Sequence, residues 1–142
     1  MTRKNAVVGV LLSGVLMSAA LAFPAWAADK AKLIIQVSDN DTGKWNLALN
    51  NAKNIQNDLG KANVDLQIIA YGPGIGMLKI ESEVGNRIDE AVESGVQVLA
   101  CQNTMRNQKL SKEDMLDSVG YVPAGVVAIM QKQHQGYAYL RP

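Results

Sequence analysis

The segment Lys32-Leu-Ile-Ile-Gln-Val-Ser38 carries apolar residues at successive positions, not alternate ones. A strand of that kind has to be covered on both faces, as in a sheet packed between helices. The chain then alternates such segments with helical periodicity. Trp45, Ala48, Leu49, Ala52, Ile55 and Leu59 follow the three-four spacing of one buried stripe, and Gly60 supplies a C-terminal cap. Val64–Tyr71 is the second strand, ending at Gly72-Pro-Gly-Ile-Gly76. A short segment, Met77–Ile80, leads to a second helix over about Glu83–Ser94, with the stripe Val84, Ile88, Ala91 and Val92 and a stop at Gly95. Val96–Cys101 is the third strand.

The remainder is built from shorter pieces. A helix starts near Asn103 and reaches Asn107 or Gln108. Ser111-Lys-Glu-Asp114 resembles a capping box with Asp in place of the longer Glu or Gln, and opens a single turn through Leu116. Val119–Val122 is a fourth strand, Pro123 and Ala124 begin a helix to about Gln133, and Tyr137–Leu140 is a final strand. Five strands alternating with four helices predict an α/β fold, a single three-layer α/β/α domain with a mostly parallel five-stranded sheet.

The first 27 residues read differently. Arg3 and Lys4 precede a nearly unbroken apolar or small stretch, Ala6–Ala22, then Pro24 and the small-x-small pattern Ala25-Trp26-Ala27. This is the pattern of a cleaved secretory signal peptide, which predicts a periplasmic protein and a mature domain over 28–142. The competing reading is an uncleaved anchor, for which the apolar stretch is marginal in length. Loss of Arg3 and Lys4 takes the net charge from +1 to −1. That balance gives no reason to expect nucleic acid, and after cleavage no membrane association, as partners. A lone cysteine excludes an intramolecular disulfide, so packing carries the stability. One histidine and one cysteine far apart give no metal site, and no cofactor is expected.

Ligands of open parallel sheets bind at the carboxyl ends of strands. Here those ends carry Ser38-Asp39, Tyr71-Gly72-Pro73-Gly74, Cys101-Gln102-Asn103 and Val122-Pro123. Cys101 is the one nucleophile of useful reactivity among them. A helix starting at Asn103-Thr104 aims free N–H groups at the sulfur, and Arg106 adds positive charge a turn later; both favour thiolate. The alternative is a cysteine packed inertly beneath a loop. Gly72-Pro73-Gly74 lacks the spacing of a phosphate-binding loop and reads as a tight turn passing close to the cysteine loop. Asp39 and Asp41 read as caps of the first helix. Trp45 is a core residue, His134 lies at a solvated helix end, and Tyr137 and Tyr139 share a strand face suited to a subunit contact.

These segments together resemble the DsrE/DsrF-like family of small α/β proteins linked to sulfur relay. The residues that carry the resemblance are Trp45-Asn-Leu-Ala-Leu49 with Asn54, Tyr71-Gly-Pro-Gly74, Cys101-Gln-Asn-Thr-Met-Arg106 with Leu110, Val122-Pro-Ala-Gly-Val126 and Gly136-Tyr-Ala-Tyr-Leu-Arg-Pro142. It spans about Lys32–Pro142, and it matches an exported branch. The resemblance implies a trimer or hexamer of one chain, and a cysteine at this strand end that accepts sulfur as a persulfide, which makes Cys101 the carrier. Sulfur donor and acceptor proteins are then the implied partners, with the loops at Asp39 and Gly72–Gly74 shaping the pocket. This chain departs from the cytoplasmic members in its leader and in having no second cysteine. The competing function is a non-enzymatic oligomeric module that uses the same pocket to bind a small ligand or a protein segment.

Overall fold

The computed structural model describes residues 29–142; the leader expected over residues 1–27 lies outside them. Five strands, β1 (Ala31–Val37), β2 (Val64–Ala70), β3 (Gln97–Cys101), β4 (Gly120–Val122) and β5 (Ala138–Leu140), form one sheet in the order β4-β3-β2-β1-β5. Every strand pairing in it is parallel. The helices are α1 (Thr42–Leu59), α2 (Gly85–Glu93), α3 (Gln102–Asn107) and α4 (Gly125–His134).

The successive apolar residues do what their spacing requires. Ile34 and Ile35 are both fully buried, as are Ile68 and Ile69, with one of each pair on either face of the sheet. Ile35, Leu66, Ile68 and Val98 join Trp45, Ala48, Leu49, Ala52 and Ile88 in the larger core, beneath α1 and α2. Ile34 and Ile69 meet Ile129 and Tyr137 in a smaller core beneath α4. The three layers are therefore unequal, with α4 alone crossing its face of the sheet among the described residues. α3 is set apart at the carboxyl end of β3, against the turn that follows β2.

Local differences from the sequence reading have local causes. The glycine-rich stretch after β2 winds into a 3₁₀ helix over Gly72–Leu78, not a plain turn. α2 starts at Gly85, because the Gly85 N–H donates to Ser82 O and closes a separate turn first. Asp114 completes the capping box despite its short side chain, with the Ser111 N–H donating to Oδ2 at 2.7 Å. The turn it caps is 3₁₀ and tighter than α, which brings the carboxylate into reach. Of the two tyrosines expected to share a face, Tyr137 is buried with its hydroxyl donating to Asp65, while Tyr139 is 42% exposed and donates to Gln36.

Three helices end in the same hydrogen-bond pattern. After α3 the Lys109 N–H donates to Arg106 O and the Leu110 N–H to Met105 O; Gly95 with Val96, and Gly136 with Tyr137, repeat this after α2 and α4. The first residue of each pair is left-handed, and at α3 it is a lysine with φ 56° where the others are glycines. Replacing Lys109 with glycine removes that steric conflict, offset in part by glycine's greater freedom in the unfolded chain. Lys109→Gly is expected to stabilise the protein by about 0.5–1 kcal/mol, read as a rise in the urea midpoint with an unchanged slope.

Candidate functional site

Cys101 is the last residue of β3 and stands immediately before α3. Odd-numbered residues of β3 face the α4 side, so its sulfur lies beneath the amino terminus of α4. The Gly125 N–H donates to Cys101 Sγ at 3.2 Å. Ala124, which precedes α4, has no side chain able to cap the helix. The sulfur takes that role and satisfies one of the N–H groups that a helix start leaves free. Close approach is possible because residue 125 is glycine: a Cβ there would lie 3.1 Å from Tyr71 Cβ and 3.3 Å from Ile69 Cγ2.

α3 completes the surroundings of the sulfur from the other side. Thr104, through its hydroxyl and N–H, and Asn103, through its N–H, lie close enough to act on the thiol pKa. Only the Gly125 N–H makes a hydrogen bond of ordinary geometry to the sulfur; the Asn103 N–H donates to Pro123 O at 3.1 Å. Thr104 Oγ1 also accepts from the Gly72 N–H at 2.9 Å. The Gly72 peptide thus fixes the position of the Thr104 hydroxyl beside the thiol. Gln108 holds the same peptide from its other end, donating Nε2 to Gly72 O at 3.2 Å. The turn after β2 is thus tied to α3 at both ends of one peptide.

Two opposing effects act on the Cys101 thiol. Burial is the largest single one and pushes its pKa up, since Cys101 is 4% exposed and a thiolate prefers water. The hydrogen bonds from the Thr104 side chain and from the backbone of Thr104, Gly125 and Asn103 together outweigh it, and the thiol is held below its ordinary pKa. Folding therefore favours the thiolate. Its contribution to stability is fully present above the pKa of a free thiol and is lost as pH falls through the lower folded value.

The other residues expected at the site divide. Thr104, Asn103 and Gly72 are brought together around Cys101. Pro73 sits in the first turn of the 3₁₀ helix. Gly74 serves the crossing of chains: a Cβ there would lie 2.3 Å from Val37 O, so the turn can pass over the end of β1 only with glycine. Arg106 reaches back along its own helix, its guanidinium donating to Asn103 Oδ1. It is not among the groups that lower the Cys101 pKa. Asp39 lies at the end of β1, two strands from β3, in ion pairs with Lys44 at 3.1 Å and Arg141 at 3.3 Å. These two cations hold its carboxyl below the usual range. The helix cap is Asp41, whose Oδ1 accepts from the Lys44 N–H at 3.0 Å. Gly125 and Gln108 were not foreseen; the small residues Ala124-Gly125 at a helix start were the available signal for the first. No cluster of His, Cys, Asp or Glu able to hold a metal occurs among the described residues.

The DsrE/DsrF-like family matches residues 31–142. The chain belongs to that family. A solved structure of a protein of unknown function from Methanobacterium thermoautotrophicum, MTH1491, is 30% identical and superposes with a TM-score of 0.76 over 80% of this chain and 100% of its own. BT1422 from Bacteroides thetaiotaomicron, 18% identical, and the ychN protein from E. coli, 16% identical, both reach a TM-score of 0.64. They cover 78% and 79% of this chain, and 94% and 99% of their own, and they share its fold. Among curated proteins none matches.

If Thr104 donates to the sulfur, its hydroxyl and not its bulk sets the thiol pKa. Thr104→Val is expected to slow alkylation near neutral pH by about three- to tenfold, the worth of one hydrogen bond, and to move the rate–pH midpoint upward. Thr104→Ser keeps the donor and is expected to retain the wild-type midpoint.

Proposed function

We propose that this protein is a sulfur carrier of the DsrE-like type, exported to the periplasm, with Cys101 as the carrying residue. The observation that supports this most is the set of donors around one sulfur: the Gly125 N–H at 3.2 Å, with Thr104 and Asn103 beside it. An inert packed thiol needs no such partners. An anionic sulfur does, and a terminal persulfide is anionic as well.

The chemistry is two successive displacements at sulfur. The Cys101 thiolate attacks the sulfane sulfur of a donor R–S–S⁻ (or polysulfide), forming an S–S bond and expelling R–S⁻. Cys101 then bears the persulfide. An acceptor thiolate attacks its terminal sulfur, taking that atom and returning Cys101 as thiolate. No external oxidant or reductant enters; a stabilised thiolate raises the fraction of Cys101 ready to attack in the first step and makes it the better leaving group in the second. With no second cysteine in the chain, the acceptor thiol has to come from another molecule.

Self-assembly belongs to the same reading. On α4 the apolar residues Val126, Val127 and Met130 are 60%, 45% and 51% exposed, next to the amino terminus that caps the sulfur. A trimer or larger assembly that buries this face would place a neighbouring chain beside Cys101. The second reading, a binding module without sulfur chemistry, draws on the 4% exposure of Cys101: a donor must displace α3 or the start of α4 to reach Sγ.

Intact mass after incubation with polysulfide separates the two. The carrier is expected to gain the mass of one or more sulfur atoms, to lose it on reduction, and to show neither in Cys101→Ser. A wild-type protein that stays unmodified while Cys101→Ser is strongly destabilised would identify the cysteine as core packing and favour the binding module.

A further inference from the structure

A groove of about 240 Å³ runs between α1 and α2. It lies at the amino ends of β2 and β3, marked by Lys61 and Val96, whereas Cys101 is at the carboxyl end of β3. Its floor is apolar, formed by Leu49, Ala52 and Val96. Lys53 and Lys61 stand on one side, and Arg87 and Glu90 on the other. Among the described residues none of the three cations forms a salt bridge.

Arg87 is the most telling of them. Its guanidinium is half-buried and fixed, donating to Asn46 Oδ1 and, at 2.7 Å, to Asn50 Oδ1. Both acceptors are neutral amides. They orient the positive charge without cancelling it, which leaves it available to an anion. At the inner end, Gln56 and Ser94 bond each other: Gln56 Nε2 donates to Ser94 O at 2.9 Å, and Ser94 Oγ donates to Gln56 Oε1 at 2.9 Å. That end is closed and internally satisfied, so it places no demand on a ligand. Selectivity then comes from the apolar floor and the cationic rim. Three cations against one carboxylate favour a negative partner, and the volume, about that of eight waters, fits a small molecule better than a length of chain.

We propose that this groove binds a small organic anion, an apolar body bearing one carboxylate, sulfonate or phosphate group, at a site separate from Cys101. The body lies over Leu49, Ala52 and Val96, and the anionic group meets Arg87 with Lys53 and Lys61 closing from the opposite side. The contribution of the two exposed lysines falls with added salt.

Phenyl phosphate is a suitable probe, with phenol and inorganic phosphate as its two halves, followed by amide NMR shifts of the full protein. Phenyl phosphate is expected to give saturable shifts centred on Ala52, Gln56, Ser94 and Val96, and to bind more tightly than either half. Lys53→Gln with Lys61→Gln is expected to weaken it roughly fivefold, the worth of exposed ion pairs, with the thermal midpoint and the Cys101 alkylation rate unchanged. Phenol binding as well as phenyl phosphate would overturn the proposal, as would shifts located elsewhere or indifferent to the lysine changes. An acidic peptide that saturates where phenyl phosphate does not would also overturn it, and would assign the groove to a partner protein. Shifts that track protein concentration with no probe added would assign it to a second copy of this chain.

Discussion

The hydrogen bond from the Gly125 N–H to Cys101 Sγ ties the start of α4 to the carboxyl end of β3. α4 spans its face of the sheet without a second helix beside it among the described residues, over a small core of Ile34, Ile69, Ile129 and Tyr137. β4 pairs with β3 through three residues. The sulfur at the end of β3 caps α4, and Pro123 O, just before α4, accepts from α3. A thiol in this position serves the architecture and the proposed chemistry with the same atom. Loss of the sulfur acceptor would leave a helix N–H without a partner in a nearly dry place, so packing and reactivity cannot be altered independently there.

The balance at the sulfur is between burial and donors. A 4% exposed thiol in apolar surroundings would be a poor nucleophile. The neighbouring groups reverse that because they are fixed before any charge appears: glycine at 125 admits the helix terminus, and the Gly72 peptide holds the Thr104 side chain in place. Burial then controls who may react and the donors control how readily. The proposed carrier role calls for both, since an exposed persulfide would be lost to any passing thiol.

The alternation of strands and helices was legible because it is written in local periodicity. Ile34–Ile35 and Ile68–Ile69 announce strands covered on both sides, and the stripe from Trp45 to Leu59 announces α1. Cys101, Asn103, Thr104 and the glycine turn were legible as a group because strand ends collect at one edge of a parallel sheet. Gly125 was not, since its donation to sulfur links positions 24 apart and depends on how closely α4 sits on the sheet. Arg106 was expected to supply charge to the thiol, but helical spacing also brings it within reach of Asn103, which holds it. Asp39 was grouped with Asp41 as a cap. Only the closed fold carries Arg141, from the other end of the domain, to it.

The central claim is that the fold lowers the Cys101 pKa despite burying the thiol. The most direct measurement is the titration of the native thiol itself, by the ultraviolet absorbance of thiolate with Cys101→Ser as the blank. A midpoint clearly below the free-thiol value of about 8.5 is the result predicted. A midpoint at or above that value in the folded protein would show that burial prevails over the donors, and would contradict the account.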